Sequence, residues 1–280
     1  MVYVSTASVR TNDVAQAAFA LSTSGITSIE LSGGGAFDAR LLEKLVRLKH
    51  EAVIDFLVHG YFPPPSEPFI LNFADTGDRT RRFITGSLSF VSALDAPYYS
   101  IHAGFKKEFA FSNELLYETK GARRFSLSGI DENILWFKRA HPGMRLVIEN
   151  LYPNNKNMEA CFLMHIDEIT SFMGARPDAR LLLDLGHLYV SAALLGFDFQ
   201  GAVDRLFTDY AGRIAEIHLS ENHGEADDHL LLCKDSRQLG IVKEMSGIIR
   251  ENGVRLTIEG RGATMKDVLK SHALVSEAIA

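Results

Sequence analysis

Two hydrophobic rhythms alternate along this chain. Short runs rich in β-branched and aromatic residues are separated by longer stretches whose apolar residues recur every three or four positions. The short runs predict strands over 2–5, 27–31, 53–59, 98–102, 145–150, 180–184, 214–218 and 255–259. The longer stretches predict helices over 13–22, 39–49, 78–94, 131–140, 158–173, 200–210, 238–251 and 265–279. In the second of these, Leu41, Leu45 and Leu48 mark one buried face. Eight strand–helix units within 280 residues predict the α/β class and a (β/α)8 TIM barrel, one domain spanning 1–280. A doubly wound open sheet is the alternative. It usually carries a glycine-rich phosphate turn after its first strand, and Ser5-Thr6-Ala7-Ser8 is not one. Ser32-Gly33-Gly34-Gly35, after the second strand, reads as a flexible loop. Two strand-to-helix loops are long: 60–69, with Pro63-Pro64-Pro65, and 103–129.

Composition adds boundaries rather than detail. The chain is 46% hydrophobic and 23% charged, ordinary for a globular protein. Its 29 basic and 35 acidic residues leave a net charge of −6, which argues against a broad basic footprint for nucleic acid but not against a local one. Cys161 and Cys233 form no CxxC pair and read as reduced thiols of a cytoplasmic protein. No basic-then-apolar leader opens the sequence and no run of 18 apolar residues occurs, so no membrane partner is expected.

The chemistry sits at the predicted strand ends. The third strand ends at His59, the fourth at His102, the fifth in Glu149 and the sixth in Asp184, with His187 three residues on. The seventh ends in His218 and is followed by Asp227 and His229; the eighth ends in Glu259. In a TIM barrel these positions converge on the face where active sites sit. Taken singly, each has an ordinary explanation as a hydrogen-bonded core residue, an ion pair or a loop cap. Taken together, six consecutive strands ending in such groups point to metal, because buried carboxylates and imidazoles cost free energy unless paired or ligated. Nine donors exceed one ion's needs, so two or three are expected, Zn²⁺ first, with Mn²⁺ or Fe²⁺ as options. His50, His141, His165, His223 and His272 fall away from strand ends and read as surface residues.

The segments FLVHG, SIHAG, VIEN, LLDLGH, EIHLS, the Asp227-x-His229 pair and TIEG resemble, in order and over nearly the whole chain, the endonuclease IV family (AP endonuclease family 2). That family lies within the xylose-isomerase-like TIM-barrel superfamily. The resemblance implies one ion on His59, His102 and Glu149. It implies a second on Glu149, Asp184, His218 and Glu259, and a third on His187, Asp227 and His229. It implies zinc-dependent phosphodiester hydrolysis in DNA repair, at abasic DNA or a smaller phosphodiester, with Glu149 and Glu259 as the catalytic carboxylates. Tyr61 and Phe62 fall where that family inserts residues into the duplex, and Arg261 falls at a candidate phosphate contact. The sequence departs from the family at Leu219-Ser220-Glu221, at Leu230-Leu231-Leu232-Cys233 and in both long loops, the parts that would grip DNA. Lys106, Lys107, Lys120, Arg123 and Arg124 give loop 103–129 a net +2 against Glu108, Glu114 and Glu118, a possible phosphate contact. Two rival readings stand beside this one. The first is a metal-dependent sugar or sugar-phosphate isomerase or epimerase, with Glu149 and Glu259 moving a proton on the two faces of its substrate. The second is a metal-binding module without turnover.

Overall fold

We describe the protein from a computed structural model, which places residues 1–112, 115–118, 122–154 and 157–280. Eight parallel strands close into a barrel: β1 (Val2–Ser5), β2 (Ser28–Leu31), β3 (Asp55–His59), β4 (Tyr99–His102), β7 (Leu146–Glu149), β8 (Arg180–Asp184), β9 (Ile214–Leu219) and β10 (Arg255–Ile258). The eight-stranded TIM barrel expected from the alternation is therefore present.

Strand pleating explains how this barrel carries polar chemistry inside an apolar shell. Successive side chains point to opposite faces. One parity, including Ile29, Leu31, Val58, Ile101, Ile148, Leu183, Ile217 and Ile258, packs outward against the helices in the main core. The other parity points inward. Tyr3, Leu57, Tyr98, Val147 and Leu182 form a small apolar plug low in the barrel. Above it the inward positions are Glu30, His59, Ser100, Glu149, Asp184 and His218, all buried.

The outer layer holds α1 (Val14–Thr23), α2 (Leu41–Ala52), α3 (Asp78–Ala93), α4 (Leu127–Ala140), α5 (Ile166–Ala175), α6 (Leu185–Leu195), α7 (Phe199–Tyr210), α8 (Arg237–Glu244), α9 (Ser246–Glu251) and α10 (Met265–Ile279). Leu41, Leu45 and Leu48 are buried on α2 as their spacing requires. Three helix expectations need correction. The helix expected over 158–173 starts only at Ile166, where His165 Nδ1 caps it by accepting the Asp167 amide hydrogen. The helix expected over 238–251 breaks at Met245 into α8 and α9. No helix was expected at α6, which is apolar on all sides and so lacks the periodicity that marks a surface helix.

The described residues of loop 103–129 include regular structure. They form an antiparallel strand pair, β5 (Phe109–Ser112) with β6 (Leu115–Glu118), and Phe105 pairs with Cys161 through a bridge. Several of the loop's charges have partners within the protein. Lys106 Nζ lies 2.6 Å from Glu168, and Arg123 lies 2.9 Å from Asp75 and 3.6 Å from Glu108. Lys120 and Glu114 lie outside the described residues. No helix among the described residues is long and apolar enough to cross a membrane.

Candidate metal centre

All nine residues expected as ligands meet at the C-terminal mouth of the barrel. Glu149 is the hub. Its Oε2 lies 3.3 Å from His59 Nε2 and 3.2 Å from His102 Nε2. Its Oε1 lies 3.3 Å from His187 Nδ1 and 3.8 Å from His218 Nδ1. His218 Nδ1 also lies 3.8 Å from Asp184 Oδ2 and 3.3 Å from Glu259 Oε2. Asp227 Oδ2 joins the group 3.5 Å from His187 Nε2 and 2.5 Å from His229 Nε2. Two donors on one tetrahedral ion with bonds of ~2.1 Å stand ~3.4 Å apart, which is the spacing of this cluster. Glu149, Asp184 and His218 form one mutually close ligand group, and His59, His102 and Glu149 form another.

Register and capping put these groups there. His102 pairs across the ladder with Glu149, and Asp184 with His218. Asp184 ends β8 and also starts α6. Its Oδ1 accepts the His187 amide hydrogen at 2.6 Å, as an N-cap should, while its Oδ2 has no hydrogen-bond partner and faces the centre. The cap reading of Asp184 and the ligand reading are thus compatible, one oxygen for each. Gly186 allows this close turn, since a Cβ there would meet Ser220 O and Oγ at 2.7 Å. Asn150 locks β7 to β8. Its Nδ2 donates to Asp184 O at 3.0 Å, and its Oδ1 accepts from the Asp184 amide at 2.8 Å.

Four histidines are held by one ring nitrogen and present the other. His59 Nδ1 is bonded to Ser100 Oγ at 3.0 Å. His187 Nδ1 donates to Asn150 O at 2.9 Å, and His229 Nδ1 to Glu259 O at 3.0 Å. His218 Nε2 donates to Glu30 Oε2 at 2.9 Å. Fixing one nitrogen by an outer hydrogen bond is how proteins orient imidazole ligands. The fit to cations is supported from the other side by orphaned atoms. Both oxygens of Glu149, Asp184 Oδ2, Asp227 Oδ1 and His218 Nδ1 are buried without a hydrogen-bond partner, a costly state for polar atoms unless something else binds them.

Glu30 was not among the expected site residues, and neither was Glu216. Both are fully buried. Glu216 Oε1 lies 3.5 Å from His218 Nε2, accepts from Thr257 Oγ1, and its Oε2 accepts from Tyr98 at 3.0 Å. The available signal was a carboxylate of inward parity inside an apolar strand, in SIEL and in IAEIHL, rather than at a strand end.

The groups perturb one another's proton affinities. Burial pulls His59 down to about 4 against the opposing pull of Glu149. Burial alone would raise Glu149, but His102 and His59 hold it down to about 2. Burial pushes Glu30 up to about 8 and Asp184 up to about 6. Burial would lower His229, but its bond to Asp227 and the charge of Glu259 carry it up to about 9. The pH dependence follows. Metal-free, His229 contributes stability that is complete below pH 6.5, its value when free, and is lost as pH rises toward 9. Glu30 acts in the same direction between 4.5 and about 8, because the unfolded chain gives up that proton first. The metal-free protein should therefore lose stability from pH 6 to pH 9. A ligand ion must displace the His229 proton, so binding should tighten over the same interval. Thermal melts with and without excess Zn²⁺ should show a larger metal-induced rise in Tm at pH 8.5 than at pH 6; an equal rise at both would contradict the assignment.

Above the ligands lies a cavity of about 690 Å³. His59, His102, His187, Asp227, His229 and Glu259 line it, whereas Glu149 lies beneath. Tyr152 lines it too, its ring 4.7 Å from that of His187. Phe105 and Phe109, from loop 103–129, form part of its wall. Tyr61 lines the cavity but is braced, its hydroxyl accepting the Phe69 amide hydrogen at 2.7 Å and its ring stacked on Phe83. Phe62 is wholly buried and edge-on to Phe90. A ring in the core is not free to enter a duplex, so Phe62 is corrected from a base-stack wedge to a packing residue. Arg261 is exposed on the cavity wall.

The sequence profile of the xylose isomerase-like TIM barrel family matches residues 19–263. The chain belongs to that family, a family of enzymes. Several solved structures share the fold. A D-tagatose 3-epimerase-like protein superposes with a TM-score of 0.68 at 17% identity, covering 99% of this chain and 96% of that one. A 3-keto-D-glucoside 4-epimerase from E. coli gives 0.65 at 12%, covering 99% and 98%. An AP endonuclease, family 2, from Brucella melitensis gives 0.64 at 15%, covering 97% of each chain. No curated protein sequence matches significantly.

Proposed function

We propose that the protein is a metal-dependent isomerase or epimerase of a small carbohydrate. The observation that carries this reading is the cavity. It is a concavity of small-molecule size directly over the ligand cluster. The aromatic pair Tyr61-Phe62, which a duplex-binding site would offer outward, is braced or buried. The fold neighbours named for sugar epimerisation agree with this ranking, which reverses the order suggested by the ligand set.

A divalent ion on Glu149, Asp184, His218 and Glu259 supplies Lewis acidity toward a carbonyl and its neighbouring hydroxyl. The protein's own part is to place and move a proton. Glu259 lines the cavity; burial would raise it, but His218 and His229 hold it well below the usual carboxylate range, so it is ionised and can accept a proton. It takes the proton from the carbon next to the carbonyl, and the C–H electron pair moves into an enediolate. Return of that proton by Glu259 to the former carbonyl carbon, with the neighbouring hydroxyl's proton passing to the former carbonyl oxygen, gives an isomer. Protonation of the same carbon from the opposite face, by a proton drawn from water, gives an epimer; Glu149, buried beneath the cavity and ionised, serves to hold the ion rather than to deliver this proton. His59, His102, His187, Asp227 and His229 hold further ions or bond the substrate's hydroxyls.

The size of the ligand set favours a second reading, zinc-dependent phosphodiester hydrolysis. One assay separates the two. The Zn²⁺- or Mn²⁺-loaded protein is incubated in D2O with a panel of ketoses and aldoses, and in parallel with a duplex holding one abasic site. Deuterium entering the carbon next to the carbonyl, without nicking, is expected. Nicking that Glu259→Gln abolishes, with no exchange on any sugar, would overturn the proposal.

A further inference from the structure

One side of the cavity mouth carries cations that the protein leaves unused. Arg10 and Arg261 both line the cavity and are exposed. Among the described residues neither guanidinium makes a hydrogen bond or an ion pair, whereas Lys106, Arg123, Arg176, Arg205 and Arg237 each lie against a carboxylate.

The backbone brings the two arginines to one stretch of rim. Past β1 and β10 the chains stay paired. The Gly262 amide donates to Ala7 O at 3.2 Å, the Ala263 amide donates to Ser8 O at 2.9 Å, and Val9 bridges Ala263. Arg261 is anchored further by its amide, which donates to His229 O at 3.0 Å. The loop after β2 closes the same corner. Gly33, Gly34 and Gly35 line the cavity, and their amides donate to no described protein acceptor. The Ala36 amide staples this loop to Asn12 O at 2.6 Å, two residues past Arg10. Gly35 sits so close that a Cβ would lie 2.5 Å from Val14 Cγ2.

Two forked guanidinium groups and three glycines with unpartnered amides, all lining one cavity, supply the donors of an oxyanion cradle. It also lies beside the loop following the last barrel strand, where barrels of this kind often place phosphate. A neutral sugar would leave this equipment idle. We propose that Arg10, Arg261 and the Gly33–Gly35 backbone form an anion subsite, and that the carbohydrate carries a phosphate or carboxylate at the end away from its reacting carbonyl. This inference rests on the carbohydrate reading and names its substrate class.

The test measures binding separately from turnover. Calorimetry on the metal-loaded protein compares D-ribulose with D-ribulose 5-phosphate, D-fructose with D-fructose 6-phosphate, and D-fructose with D-fructuronate. At least one anionic member should bind about tenfold or more tighter than its parent sugar. The pair with the larger gain tells phosphate from carboxylate. The advantage should vanish in Arg10→Ser/Arg261→Ser, whose exposed substitutions should leave metal content unchanged. No advantage in any pair, including no binding at all, overturns the subsite, and so does an advantage that survives in the double variant. Arginine-dependent tight binding without proton exchange would keep the subsite and fail the isomerase reading. Exchange on neutral sugars with no anionic advantage would do the reverse.

Discussion

Replacing Glu149 with Gln should strip the protein of metal and of activity together. Four imidazoles surround this one carboxylate, at 3.2–3.3 Å for His102, His59 and His187 and 3.8 Å for His218. Both its oxygens are buried and unsatisfied by hydrogen bonds. An amide keeps the shape but offers one oxygen and an NH2 that cannot ligate. Loss of an outer partner alone weakens a metal site by about 10–100-fold, so losing a shared ligand should weaken binding by more than about 100-fold. Metal content after gel filtration is the readout, with circular dichroism as the check on folding. Glu259→Gln is the comparison, because it removes the base and one ligand of the ion beside it but no ligand of the His59–His102–Glu149 group. Glu259 touches His218 and His229 but not the His59–His102–Glu149 group. That variant should keep at least the ion of that group while proton exchange falls by about 10²–10⁴-fold. Wild-type metal content in Glu149→Gln would remove Glu149 from the ligand set.

The sequence made the upper layer of the barrel readable because each ligand there ends a strand or follows one within a short loop. Parity then does the rest: His59, Glu149 and Asp184 point inward by the same alternation that sends Val58, Ile148 and Leu183 outward. Glu30 and Glu216 escaped because attention to strand ends passes over mid-strand carboxylates, and Leu31 and Ile217 follow them as ordinary core residues. Helix α6 escaped for a different reason. It is apolar nearly all round, so its sequence carries composition but no rhythm. The helix beginning at 166 rather than 158 reflects a local decision: His165 caps it, and Leu163 just before adopts a positive φ of 57° that a helix cannot contain. Substrate preference was the least legible part. It depends on how loops 60–69 and 103–129 fold over the mouth. Tyr61 and Phe62 read as duplex wedge or as packing of the proline loop until Phe62 is seen in the core, and Phe105 carries no sequence signal for its place on the cavity wall.

Glu30 should act on the metal centre through His218, and its two substitutions should separate that role from simple packing. The His218 ring presents Nδ1 to Glu149, Asp184 and Glu259 only while Nε2 is held from behind by Glu30 at 2.9 Å. Glu216 is a poor substitute at 3.5 Å, because its oxygens already serve Tyr98 and Thr257. Glu30→Leu should therefore weaken metal binding by about 10–100-fold in a chelator competition. Glu30→Gln can still accept the Nε2 hydrogen and should stay close to wild type. The metal-free protein should respond differently. Burial raises Glu30 from 4.5 to about 8, so its carboxyl group favours the unfolded chain increasingly across that interval. Glu30→Gln carries no such proton. It should match wild type near pH 5 and exceed it in Tm at pH 8.5. A residue that only filled space would shift both pH values alike and leave metal affinity untouched. The leucine variant binding metal as tightly as wild type would show that His218 is held by the barrel alone.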